Sequence, residues 1–135
     1  MIVVDTNAFI WLAHGDPMAT PALTAIDAAV RSSVILVPSI VAWEIGLAVS
    51  KGRLKLAIDV QEWLARALVL PGVREVPLAA DVALASTRLP GVFHADPADR
   101  LIIAQARALG APLLTSDRAI LAYAKAGHLK AIRAR

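Results

Sequence analysis

The chain opens on Ile2-Val3-Val4, three apolar β-branched residues in a row, and turns polar at Asp5-Thr6-Asn7. An unbroken apolar run of this kind predicts a strand covered on both faces, as in a parallel sheet. Similar runs lie at 34–37 and 112–115, with weaker ones at 73–76 and 130–133. Between them the apolar spacing lengthens to a helical period at 8–13, 20–31, 39–50, 80–89, 97–109 and 118–126. One more helix follows Asp59, with Trp63, Leu64, Ala67 and Leu68 on one face. Thr20-Pro21, Ser39 after Pro38, Asp59 and Asp96-Pro97 are predicted helix starts. Gly52, Gly110 and Gly127 are predicted stops. Strands alternate with helices, so the predicted class is α/β: a single domain over residues 1–135, with a central, mostly parallel sheet flanked by helices.

Composition narrows this little. Of 135 residues, 58% are hydrophobic and 19% charged, which excludes a disordered chain. No apolar run reaches the roughly eighteen residues of a membrane span, and no basic-then-apolar leader opens the chain. Cysteine is absent, which removes disulfides, thiolate metal sites and cysteine nucleophiles and makes the cytoplasm the expected location. The formal charge of +3 permits a nucleic-acid partner without demanding one.

The acids change the picture. Asp5 directly follows the first predicted strand and Asp117 comes just after the fourth, so parallel strands aim both at one edge of the sheet. Glu44 has Ile40, Val41, Leu47 and Ala48 as its helical neighbours, and no Lys or Arg lies between 38 and 50 to pair with it. A buried glutamate needs a partner, a proton or a metal. Asp99 falls in the first turn of the helix that Asp96 caps, just before the apolar run Leu101-Ile102-Ile103-Ala104. Taken singly, each aspartate reads equally well as a turn or cap residue. Together they suggest a cluster. Two like charges about 6 Å apart repel by roughly 3 kcal/mol at an effective dielectric of about 20. Such a cluster survives only by protonation or by binding cations, and all-oxygen ligands suit Mg²⁺ or Mn²⁺. The chemistry implied is metal-assisted phosphodiester hydrolysis.

Ile-Val-Val-Asp5-Thr6-Asn7, Glu44 on the helix after Pro38-Ser39, Asp96-Pro-Ala-Asp99-Arg100-Leu-Ile-Ile-Ala-Gln-Ala and Leu-Leu-Thr115-Ser116-Asp117 together resemble a PIN domain. More narrowly they are similar to the toxin ribonuclease of a bacterial VapBC-type toxin–antitoxin pair. The resemblance covers nearly the whole chain, with its motifs in order. It implies a PIN-like fold and a magnesium-dependent endoribonuclease, with Mn²⁺ as a substitute, acting on structured RNA. It also implies a homodimer neutralised by a small cognate antitoxin. By position, Asp5, Glu44, Asp99 and Asp117 match the family's acidic quartet, and Asp96 is a further candidate ligand. Thr6, Asn7, Thr115 and Ser116 are candidates to orient the carboxylates or their waters. Lys51, Arg53, Arg100 and Arg118 are candidate contacts for RNA phosphates, the last two alternatively holding the acids.

His94 reads as a loop residue near the site, while His14 and His128 carry no assigned role. Trp11, Trp43 and Trp63 lie on apolar helices and read as core or dimer interface. A haloacid-dehalogenase-type phosphatase would need a second Asp where Asn7 stands, and a response-regulator receiver would pair Asp5 with another acid. The remaining alternative is an inactive PIN-like module that only binds RNA or a protein. The intact quartet argues against it, because such a module would gain stability by shedding those charges.

Overall fold

The computed structural model describes residues 1–32 and 34–135. In order these form β1 (Ile2–Val4), α1 (Thr6–His14), α2 (Thr20–Ser32), β2 (Ile35–Pro38), α3 (Ser39–Ser50), α4 (Val60–Ala67), β3 (Val73–Val76), α5 (Ala80–Ser86), α6 (Pro97–Leu109), β4 (Leu113–Thr115), α7 (Arg118–Lys125) and β5 (Ala131–Arg133). The five strands make one sheet in the order β3-β2-β1-β4-β5, and every pairing is parallel. Val3 sits beside Leu36 on one side and Leu113 on the other. Consecutive residues Ile2, Val3 and Val4 are all buried, as are Ile35, Leu36 and Val37, so both faces of the sheet are covered. None of the helices is long and apolar enough to cross a membrane, among the described residues.

Four helices start at an aspartate whose side chain caps them. Asp5 accepts a hydrogen bond from the Ala8 amide at 2.9 Å, which starts α1 at Thr6, two residues earlier than the apolar pattern predicts. Asp59, Asp96 and Asp117 cap α4, α6 and α7 in the same way. At the far end of α6, Gly110 takes the left-handed conformation (φ 63°) that closes a helix. Ser39 departs from its predicted capping role. It is the first residue of α3, Pro38 holds the cap position without a side-chain bond, and the Ser39 hydroxyl instead accepts from the Leu78 amide at 3.1 Å. The serine thereby ties the start of α3 to the segment after β3.

α5 ends at Ser86, short of the predicted 89. The Ser86 and Thr87 hydroxyls turn back onto the carbonyls of Ala83 and Leu84, and the Ser86 carbonyl accepts from the Arg100 guanidinium at 2.8 Å. Pro90 then pushes Leu89 away from helical geometry.

The core gathers under α1, α3 and α6. Phe9 is fully buried and meets Trp63 edge-on at 5.8 Å between ring centroids. Trp63 in turn donates its indole N–H to His14 Nε2 at 3.0 Å, so a tryptophan is buried with its one polar atom satisfied. Ile102, Ile103 and Ala106 seat α6 against the sheet and its neighbouring helices. Ile103→Val removes one methylene group from a fully buried site. It should lower stability by about 0.5–1.5 kcal/mol, read as a shift in urea midpoint by circular dichroism with an unchanged slope.

Candidate active site

Parallel pairing brings the C-terminal ends of β1, β2 and β4 to one edge of the sheet, and the polar residues beyond them meet there. The resulting cleft, of about 430 Å³, is lined by Asp5, Glu44, Asp99 and Asp117 together with Thr6, Asn7, Trp11, Arg53 and Ser116. Asp5 arrives at the end of β1, Glu44 from the second turn of α3, Asp99 from the first turn of α6 and Asp117 from the cap of α7.

Asp5 is buried (8% exposed), and both its oxygens are engaged. Oδ1 takes the Ala8 amide and Oδ2 takes the Thr115 hydroxyl. Burial nonetheless dominates and pushes its carboxyl up to about 6, with the charges of Asp117 and Glu44 adding to the rise. Thr115 also accepts from the Asp117 amide at 3.0 Å, so one buried threonine holds two of the acids in register. Thr6 donates to Glu44 Oε1, which restrains a side chain whose carboxyl is raised by burial and by the Asp96 charge. The Asp99 carboxyl is pushed up to about 7, first by burial and then by Asp96, Asp117 and Glu44. His94, 3.4 Å from Asp99 Oδ2, works in the other direction.

The remaining candidates separate by geometry. Asp96 is exposed, and its Oδ1 accepts from the Asp99 amide at 3.0 Å; it does not line the cleft, though its charge reaches Glu44 and Asp99. Asn7 lines the cleft with an exposed side chain. Ser116 lines it too, but its hydroxyl donates to the Arg135 carbonyl at 3.0 Å rather than to an acid. Arg53 reaches the cleft, whereas Lys51 and Arg118 are exposed outside it. Arg100 makes no hydrogen bond to any of the acids. It donates to the backbone carbonyls of Ser86, Phe93 and His94, pinning the loop between α5 and α6.

The donor set fits a hard divalent cation. All four lining acids offer oxygen, and three have carboxyls raised by burial and by the charges of neighbouring acids. Among the described residues no three of these side chains yet close on a single point as a finished ligand set. Mg²⁺ accommodates this, because it is commonly held by one or two carboxylates with waters completing its octahedron.

The PIN domain family matches residues 2–126. The chain is a PIN domain. Ribonuclease VapC22 of Mycobacterium tuberculosis is 32% identical over 123 residues, covering 90% of this chain and 91% of that protein, which places the domain in the VapC type. Among solved structures, the fold matches a chain of VapBC2 from Rickettsia felis, bound to a DNA fragment from its promoter, with a TM-score of 0.73 at 20% identity and complete coverage of both chains. It also matches M. tuberculosis VapC20, a sarcin-ricin loop cleaving toxin, with a TM-score of 0.57 at 21% identity over 98% of this chain and 99% of that one.

The three tryptophans of this PIN domain differ in their surroundings. Trp11 is half-buried in the cleft wall with the Arg135 guanidinium 4.3 Å above its ring, and Trp43 is 58% exposed on α3. Trp63 is buried in the core, and Trp11 also packs against it. Trp11 lies six residues past Asp5, and an aromatic on the helix leaving a site acid is a signal, though a weak one.

The raised carboxyls set a pH dependence. Asp5 and Asp99 keep their protons to about 6 and about 7 in the folded chain, against 3.8 for an ordinary aspartate. As pH rises through that window the unfolded chain releases its protons first, so the folded state loses stability. Below the window both states are protonated, and above it the loss is complete. In EDTA the melting temperature should therefore fall between about pH 4 and pH 7 and then level off. Asp99→Asn should flatten part of that fall, and Mg²⁺ at pH 8 should restore several degrees, both read by thermal melts.

Proposed function

We propose that this PIN domain is a magnesium-dependent endoribonuclease that hydrolyses phosphodiester bonds of structured RNA and acts as the toxin of a type II toxin–antitoxin pair. One observation carries the reading: four carboxylates from four separate stretches of chain line a single hollow, where burial and mutual repulsion push the carboxyls of Asp5 and Asp99 up to about 6 and about 7. Asp5, Glu44, Asp99 and Asp117 are the proposed ligands and catalytic acids, and Asp96 acts on them through its charge and through its bond from the Asp99 amide. Mg²⁺, or Mn²⁺ in its place, supplies when bound the Lewis acidity that sharpens a water for in-line attack and offsets charge at phosphorus.

The protein's own residues supply position. Asp5 cannot swing, because the Ala8 amide and the Thr115 hydroxyl hold its two oxygens. Thr6 keeps Glu44 turned toward the cleft. Arg53 stands where it can take a substrate phosphate without reading base identity. The names of VapC22 and VapC20 support RNA as the substrate, and the sarcin-ricin loop supports a folded one. Likeness to a chain of VapBC2 supports a small antitoxin partner. Trp43 and Leu84, exposed on α3 and α5, supply apolar surface for a homodimer or for that partner. The cytoplasm, where RNA and antitoxin are both present, is the proposed location.

Purified protein should cleave structured RNA with Mg²⁺ or Mn²⁺ and stop when EDTA is added. Asp5→Asn and Asp99→Asn should remove activity while leaving the circular dichroism spectrum intact. Thr115→Val, which frees Asp5 without removing it, should lower kcat by about 10–100-fold. A protein that binds RNA but shows no metal-dependent turnover would be a binding module instead. Expression without its antitoxin should arrest growth, and Asp5→Asn should relieve the arrest.

A further inference from the structure

The segment after β5 is bound to the cleft wall. The Ala134 amide donates to the Thr115 carbonyl at 2.8 Å, and the Ala134 carbonyl accepts from the Ala19 amide at 2.8 Å. The Arg135 carbonyl accepts from Ser116 Oγ at 3.0 Å and from Arg133 Nε at 3.1 Å. A backbone fixed this firmly fixes where its side chain can reach. The Arg135 guanidinium lies over the Trp11 ring, 4.3 Å from the ring centre, and both Trp11 and Ser116 line the acidic cleft.

This cation has been brought to the site and left available. Among the described residues the Arg135 guanidinium joins no ion pair. A contact through the aromatic face uses the charge of the guanidinium and leaves its N–H donors free. Those donors form a planar fork that matches phosphate oxygens. They cannot serve a carboxylate-bound metal ion, which excludes a role as ligand. Arg53 lines the same cleft from the segment after α3, and Arg135 is carried beside it on Trp11, so two cations from distant parts of the chain come to the acidic cleft.

We propose that Arg135, seated on Trp11, is a phosphate contact for the RNA strand, paired with Arg53 so that the strand crosses the acidic cleft between them. The proposal rests on RNA being the ligand of this cleft, as argued above, but not on its being cut there. Trp11 serves as a positioning residue that holds the guanidinium at the rim.

The test is binding of a short fluorescently labelled single-stranded RNA in EDTA, measured by anisotropy across a salt series. Arg135→Gln should weaken binding about 3-fold or more and reduce the slope of log Kd against log salt by about 0.7, the value for one lost phosphate contact on a single strand. Arg135→Lys should keep the slope, because it keeps the charge. Trp11→Leu should weaken binding with the charge intact. An Arg135→Gln protein with a lower melting temperature but unchanged affinity and slope would make the contact a structural tether and overturn the proposal. Loss of RNA binding in none of the variants, with normal Mg²⁺-dependent cleavage, would sink the proposal and leave the nuclease reading standing. The expected losses together with an absence of cleavage would do the reverse. No RNA binding by the unmodified protein would overturn the proposal and leave the nuclease reading to its own Mg²⁺-dependent cleavage assay.

Discussion

Repulsion between carboxylates at the end of a parallel sheet is the constraint that the rest of this molecule answers. Parallel strands end together, so the residues just past one strand are forced into the neighbourhood of those just past the others. Here those residues include acids, and the fold restrains them with ordinary parts. Asp5 and Asp117 are helix caps, and in each case one oxygen is taken by an amide of the helix it starts. The positive end of a helix tempers an acid beside it. Thr115, wholly buried, reaches two of these acids at once. The uncompensated remainder is concentrated in Asp99, whose one basic partner among the described residues is the half-exposed His94.

Much of the fold was legible because its signals are local. A β-branched run such as Ile2-Val3-Val4 has few ways to be satisfied other than as an interior strand. An aspartate followed by proline, as at Asp96-Pro97, starts a helix by its own stereochemistry, and Gly110 ends that helix because it tolerates φ 63°. The positions of Asp5 and Asp117 were readable for the same reason: a polar residue directly after a parallel strand has its location set by the strand. Glu44 was readable from the apolar company it keeps along the helix.

The features that escaped the sequence depend on who meets whom at long range. Nothing near Ser39 says that its hydroxyl will take an amide from Leu78 and not from its own helix. Arg100 sits beside a site acid, yet its guanidinium is spent on three carbonyls of a loop whose path only the folded chain defines. Ser116 is adjacent to Asp117 in sequence but bonded to Arg135. The end of α5 was misplaced because Arg100 takes the carbonyl of Ser86, fourteen positions earlier. Short-range chemistry thus defined the elements, and side-chain partners across the fold decided which polar groups remained free for the site.

The central strand has one further consequence, for the order of events during synthesis. β1 is made well before its partner β4, which lies near residue 113; the hydroxyl that restrains Asp5 is 110 positions away along the chain. A ribosome that has released the polypeptide only as far as α6 has delivered three of the four cleft acids but neither the strand nor the threonine that sets them in place. The hollow is therefore a late product of folding, closed by contacts of long loop length that form slowly. A chain stopped before β4 carries three of the acids without the arrangement, so any hazard from this cleft waits on that strand and its threonine.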